Sequence, residues 1–230
     1  MKTSVKILLC NLLITGLLFS AQAQNRVIKE VNAFDKVVIA DNLKVVFRKA
    51  DKENVILTAT GIDYDKIVVE SSGRELKIKL KTGIYSNTNI NIQVDYVKIR
   101  SIDVGNNADV KFEGPLMGDQ IELKSTGGAV LNINVEAAAI KASLNNGGRI
   151  EISGKTDLQE VDANLGSKYN AYALESVNGF VKSNTTSDVV VWVTNKLEAN
   201  AGSKADLKYR GKPVEVKSST SLGGKITGDL

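Results

Sequence analysis

The segment Ala142-Ser-Leu-Asn-Asn-Gly-Gly-Arg-Ile150 holds the end of one apolar alternation, a small polar corner and the start of the next alternation. The same order returns in Ile102–Val110, Leu123–Val130, Ala163–Ala171, Lys182–Val189, Ala199–Leu207 and Ser218–Ile226. The apolar residue after each corner falls at Val110, Val130, Ile150, Ala171, Val189, Leu207 and Ile226, giving spacings of 20, 20, 21, 18, 18 and 19 residues. Repeats of this length indicate a solenoid. The period inside each unit is two, as in Val110 and Phe112, Ile150 and Ile152, or Val189, Val191 and Val193. Period two is strand, so each unit reads as two short strands joined at a corner. One unit cannot bury its own apolar face, whereas stacked units share one core with rungs about 4.8 Å apart. Successive turns of a coil run the same way, so the sheets are expected to be parallel and the fold an all-β, β-helix-like solenoid.

The corners agree with this reading. Asn106-Asn107, Gly127-Gly128, Asn145-Asn146-Gly147-Gly148, Gly166-Ser167, Gly202-Ser203 and Gly223-Gly224 occupy similar places, and Gly and Asn tolerate the positive φ of a sharp bend. Before Arg100 the chain is strand-rich but less regular. Val37 and Ile39, then Leu43, Val45 and Phe47, then Val55, Leu57 and Ala59 alternate, as do Leu76, Ile78 and Leu80 and later Ile90, Ile92 and Val94. Lys77, Lys79 and Lys81 form the outward stripe of one of these strands and read as protection against edge pairing. No proline-rich linker divides the halves, which predicts one continuous domain.

The chain has 230 residues, no histidine and one cysteine, Cys10. These absences remove His-based triads, Cys nucleophiles, disulfides and Cys/His metal sites from consideration. Met1 to Lys6 is basic, Ile7 to Phe19 is almost continuously apolar, and Ser20-Ala21-Gln22-Ala23 has the small residues of a cleavage site. This is the layout of a secretory signal peptide over residues 1–23, too short in its apolar part to span a bilayer. Cleavage leaves 230 − 23 = 207 residues, and loss of Lys2 and Lys6 leaves a net charge of (30 − 2) − 26 = +2. An exported chain of nearly balanced charge without a basic block is not expected to bind nucleic acid. No cofactor and no metal ligand set is expected.

Four residues are candidates for a site. Asp188 and Asp206 hold equivalent corner positions in consecutive rungs, about 5 Å apart at strand spacing. That separation would suit a retaining glycosidase pair or a calcium ion, although aspartate is also common in turns. If Val189, Val191 and Val193 point inward, Trp192 points outward, with Tyr172 doing the same one rung earlier. Outward aromatic neighbours form a stacking platform for sugar rings or an anchor for a protein partner.

The opening Val31-Asn-Ala-Phe-Asp-Lys-Val-Val-Ile39, the strands Leu76–Leu80 and Ile90–Val94 and the later small-residue turns together resemble the head GIN domain family. That family is labelled an auto-transporter adhesin and is common in exported proteins of Bacteroidetes-type bacteria. The resemblance covers nearly all of residues 24–230 and implies a right-handed parallel β-helix. It also implies an adhesin-like, non-enzymatic role in the periplasm or at the surface of a Gram-negative cell. An autotransporter would need membrane-barrel strands, and the coil pattern here continues to Ile226, so only the adhesin half of the label is expected to carry over. The resemblance supplies no catalytic residue. The expected ligand is a glycan or an envelope protein. The alternatives are a polysaccharide-acting enzyme built on Asp188 and Asp206, and a structural module whose coil ends drive homo-oligomerisation.

Overall fold

The computed structural model describes residues 26–228; the predicted signal peptide therefore lies outside the described residues. The first eight strands are β1 (Arg26–Glu30), β2 (Lys36–Ile39), β3 (Lys44–Lys49), β4 (Asn54–Thr60), β5 (Ile67–Ser72), β6 (Glu75–Leu80), β7 (Asn89–Tyr96) and β8 (Ser101–Val104). Five long strands follow: β9 (Asp109–Thr126), β10 (Val130–Asn145), β11 (Arg149–Ala163), β12 (Lys168–Ser183) and β13 (Asp188–Ala201). The last rungs are β14 (Asp206–Arg210), β15 (Glu215–Thr220) and β16 (Lys225–Thr227). All sixteen belong to one sheet system. From β9 to β16 every pairing is parallel, in the order expected of a coil.

The inward column that begins each rung runs through Val110, Leu131, Ile150, Tyr169, Val189, Leu207 and Ile226. Two positions correct the sequence reading. Leu131, not Val130, is the buried partner of Val110, and Val130 stands outward in the column of Asp109 and Arg149. Tyr169, not Ala171, is the partner of Ile150 and Val189. Alternation alone could not separate the last two, because residues 169 and 171 share a face. Full burial of such side chains stabilises the fold by roughly 1.5–3 kcal/mol each, which is what holds a disulfide-free coil together.

Each rung also differs from two strands with a turn between them. The chain stays extended through the middle of the rung and bends where the side-chain alternation slips by one. In β10, Leu131, Ile133 and Val135 are buried, and then Ile140, Ala142 and Leu144. The inward positions change from odd to even while β10 and β11 keep one constant register, so neighbouring strands bend together there with no turn between them. At the true corners two successive residues have positive φ: Asn106-Asn107, Gly127-Gly128, Asn146-Gly147, Leu165-Gly166, Thr185-Thr186, Ser203-Lys204 and Leu222-Gly223. The amide of the second residue donates to the carbonyl of the first residue in the next corner, as from Gly147 to Leu165 and from Gly166 to Thr185, each at 2.9 Å. Corner stacks on corner, so a residue with no intrinsic liking for positive φ is carried along.

Before β9 the coil is closed off differently. Strands β1–β4, β4–β7 and β5–β6 pair antiparallel, while β3 pairs parallel with both β7 and β9. Phe47 stacks on Phe112 at 4.7 Å, and Tyr96 meets Phe112 edge-on at 5.7 Å. This aromatic cluster joins the irregular end to the regular coil. The stripe of Lys77, Lys79 and Lys81 is not on an edge: β6 is paired by β2 on one side and β5 on the other. Its neighbour β5 is the strand left at the margin, so the lysines are simply the solvated face above Leu76 and Ile78, both fully buried.

Candidate functional site

Asp188 and Asp206 are register partners in β13 and β14, the adjacency expected from the repeat. The outward column they occupy reads Arg149, Lys168, Asp188, Asp206, Lys225. Lys168 lies 3.4 Å from Asp188, and Lys208 lies 3.1 Å from Asp206. The two carboxylates thus sit beside ammonium groups on an outward sheet face, with Asp188 exposed and Asp206 Oδ1 buried without a hydrogen-bond partner. A calcium ion requires six to eight oxygens, and no group of three or more metal-ligating side chains occurs among the described residues.

Tyr172 and Trp192 do stand outward. Val189, Val191 and Val193 are buried beneath Trp192. Tyr172 is thrown further out by an irregularity: between the pairs Asn170–Val190 and Glu175–Trp192, four residues of β12 face one of β13. This bulge leaves Tyr172 48% exposed. A residue that sequence reasoning did not single out joins them. Arg210, the register partner of Trp192 in β14, places its guanidinium carbon 4.2 Å from the Trp192 ring centroid and 4.4 Å from that of Tyr172. The two aromatics are therefore a clamp on an arginine and not a bare platform. The signal was available: the offset of 18 that pairs Asp188 with Asp206 also pairs Trp192 with Arg210. What it could not supply is Tyr172, two strands from Arg210, which reaches the guanidinium only because of the bulge.

Below the clamp the interior is polar. Gln159 and Ser176 are fully buried. The Gln159 amide donates to the Trp192 carbonyl at 3.2 Å, and the Ser176 hydroxyl donates to the same carbonyl at 2.6 Å. The Tyr169 hydroxyl donates to Gln159 Oε1 at 3.4 Å, and burial pushes its pKa up, so it remains a donor. A buried amide with its partners in place holds the backbone of Trp192 in one position.

Tyr172 also lines the end of a shallow groove of about 440 Å³ over β9 to β12. Its floor carries Asn132, Asn134, Glu151, Ser153 and Asn170. Asn132, Glu151 and Asn170 form one column and Asn134 and Ser153 a second, so amide and carboxylate groups repeat at strand spacing. Asn134 donates to Ser153 Oγ at 2.9 Å. Among the described residues Glu151 has no ion-pair partner. A second concavity of about 500 Å³ lies on the later half of the rungs, around Phe180, Lys141, Glu160, Lys182 and Glu198. There Lys196 covers the Phe180 ring at 5.7 Å and pairs with Glu198 at 2.9 Å. One of its carboxylates is thereby neutralised, whereas the Tyr172 groove repeats amide groups from rung to rung beside an aromatic wall and is the better candidate site.

The coil is similar to several solved structures. A "putative adhesin" from Bacteroides fragilis superimposes with a TM-score of 0.81 at 16% identity, over 89% of this chain and 96% of that one. A "putative adhesin" from Parabacteroides merdae gives 0.73 at 12% identity, over 90% and 96%. A protein of Parabacteroides distasonis described as a "putative lipid binding protein" gives 0.72 at 16%, over 90% and 96%. At these identities the likeness speaks to the fold. No curated protein matches the sequence. The family model described as "Putative auto-transporter adhesin, head GIN domain" matches residues 33–213. With the strand patterns and stacked corners above, this match establishes that the chain belongs to the head GIN domain family, whose description supports a binding or adhesin-like role.

Proposed function

We propose that this protein is an exported, non-enzymatic adhesin-like protein of the cell envelope that binds a glycan along the groove ending at Tyr172. Residues 1–23 act as its signal peptide, and residues 24–230 form one GIN-type domain in the periplasm or at the cell surface. The observation that carries the reading is the groove itself. It is open and shallow, and its donors and acceptors repeat from rung to rung beside an aromatic wall. An extended polymer with hydroxyls at short regular intervals matches such a surface, whereas a small substrate would need an enclosed pocket. The lysines around Asp188 and Asp206 favour a structural role for that pair over acid–base chemistry.

The test is a glycan array probed with the purified protein. Tyr172→Ala and the double variant Asn132→Ala/Asn134→Ala are expected to weaken binding about tenfold or more. Asp188→Asn/Asp206→Asn is expected to leave it unchanged. Cleavage of a bound glycan that disappears only in the aspartate variant would replace this reading with the enzymatic one. A second reading, assembly through a coil end, is favoured by β15. Its outer edge is uncovered among the described residues, and Val214 and Leu222 beside it are 85% and 80% exposed.

A further inference from the structure

We infer that Arg210 is a preformed carboxylate receptor and that the glycan of the Tyr172 groove is acidic, a polyuronate or a closely similar carboxylated polysaccharide. This rests on the groove reading above and adds to it the charge of the ligand.

The guanidinium carbon lies within cation–π distance of both rings, and the two contacts restrict its position. Gln159 and Ser176 hold the Trp192 carbonyl, which fixes the backbone from which its ring projects. Ring faces satisfy the flat sides of a guanidinium and leave its five in-plane N–H donors unused. Among the described residues Arg210 makes no side-chain hydrogen bond and no ion pair. Arg48 is paired with Asp95 and both Arg74 and Arg100 with Asp35, while Arg26 and Arg149 share the lack of an ion pair but have no ring contact among the described residues. The carboxylate in its own outward column, Glu175, stands two strands away on the Lys155 side, 4.0 Å from Lys155. A planar donor fork, restricted in position and without an internal partner, is the arrangement that takes a carboxylate bidentately, with part of the ordering cost already met in the fold.

Position selects the ligand class. Tyr172 belongs both to the clamp and to the wall of the groove. A chain lying on Asn132, Asn134 and Asn170, with its hydroxyls toward Glu151 and Lys111 in the same column, therefore passes Tyr172 and brings its next substituent to Arg210. A polymer of sugar acids supplies hydroxyls for the amides and a carboxylate for the arginine. An acidic peptide would bring backbone amides to the same floor, and a comparison with poly-glutamate separates it from the sugar acid.

The experiment measures binding of the purified protein to polygalacturonate, to its fully methyl-esterified form and to poly-glutamate. Each is titrated with the unaltered protein, Arg210→Gln, Arg210→Lys, Asn132→Ala/Asn134→Ala and Lys182→Gln, a lysine on the later half of its rung. The acid form is expected to bind about tenfold or more tightly than the ester. Arg210→Gln should remove that difference, and Arg210→Lys, which keeps the charge but not the fork, should restore only part of it. Lys182→Gln should change nothing. The groove variant should weaken acid and ester equally. Thermal melting of each variant confirms that the fold is intact, and Arg210→Lys serves if Arg210→Gln does not fold. Equal binding of acid and ester, unaffected at Arg210, would overturn the receptor and leave the groove reading standing. Binding of neither, or insensitivity to the groove variant, would overturn the groove reading and the receptor with it. Equal binding of poly-glutamate, lost in Arg210→Gln, would overturn the assignment to glycan. Loss on Lys182→Gln to the same degree would show unspecific attraction of polyanions and overturn the site.

Discussion

Single residues in this coil hold conformations that their neighbours impose. Thr185 and Thr186 have φ of 49° and 59°, and left-handed backbone costs a β-branched residue about 1–2 kcal/mol. They persist because the amide of Gly166 donates to the Thr185 carbonyl and that of Thr186 to Ser203. Asparagine, used at the equivalent Asn106 and Asn107, should be more comfortable there. Thr185→Asn is expected to raise stability by about 0.5–1 kcal/mol in urea unfolding. The opposite change should be severe at Gly154, where φ is 114° and an added Cβ would meet the Val135 carbonyl oxygen. Gly154→Ala is expected to cost about 3 kcal/mol or more, read as a lower melting temperature. The corners were legible as corners in the sequence because glycine and asparagine mark most of them. The frame of Thr185-Thr186 was not, since threonine advertises no positive φ.

Among the elements, the junction of the irregular strands depends on Asp35, between β1 and β2. Its carboxylate is buried and takes Arg74 and Arg100, both at 2.8 Å. Burial raises its pKa, but hydrogen bonds and charge from the two arginines outweigh this and leave it below the ordinary aspartate range. The folded pKa is therefore lower than the unfolded one. The stabilisation is complete above the unfolded value, about 3.9, and is lost as pH falls through the folded value. Stability should thus decline below about pH 4, and Asp35→Asn should lessen that decline while costing about 1–3 kcal/mol at neutral pH. Chemical denaturation at several pH values would show both. A slope in the variant as steep as in the unaltered protein would place the acid sensitivity elsewhere.

For the whole molecule the question is how the coil ends. Antiparallel strands close the irregular end, but among the described residues β15 (Glu215–Thr220) pairs with β13 alone. Val216 continues the inward column of Leu197, has no rung above it among the described residues and is 40% exposed. An open parallel edge is a template for another strand. If assembly through this end operates, sedimentation should show association that grows with concentration, and Val216→Lys should return the protein to a monomer. A monomer at all concentrations would remove the structural reading and leave the binding reading untouched.

The amino-acid sequence by itself determined the strands, their period of two, the corners and a rung of about nineteen or twenty residues. These depend on side-chain alternation and turn chemistry, which act between neighbours a few residues apart. It also placed Asp188 beside Asp206, since no bulge separates their pairings. Only the tertiary structure decided that Arg210 lies between Trp192 and Tyr172, or that Asn132, Glu151 and Asn170 align in one groove. Lateral register accumulates every slip along the coil. One irregularity of three extra residues in β12 turns an outward tyrosine into one wall of an arginine clamp.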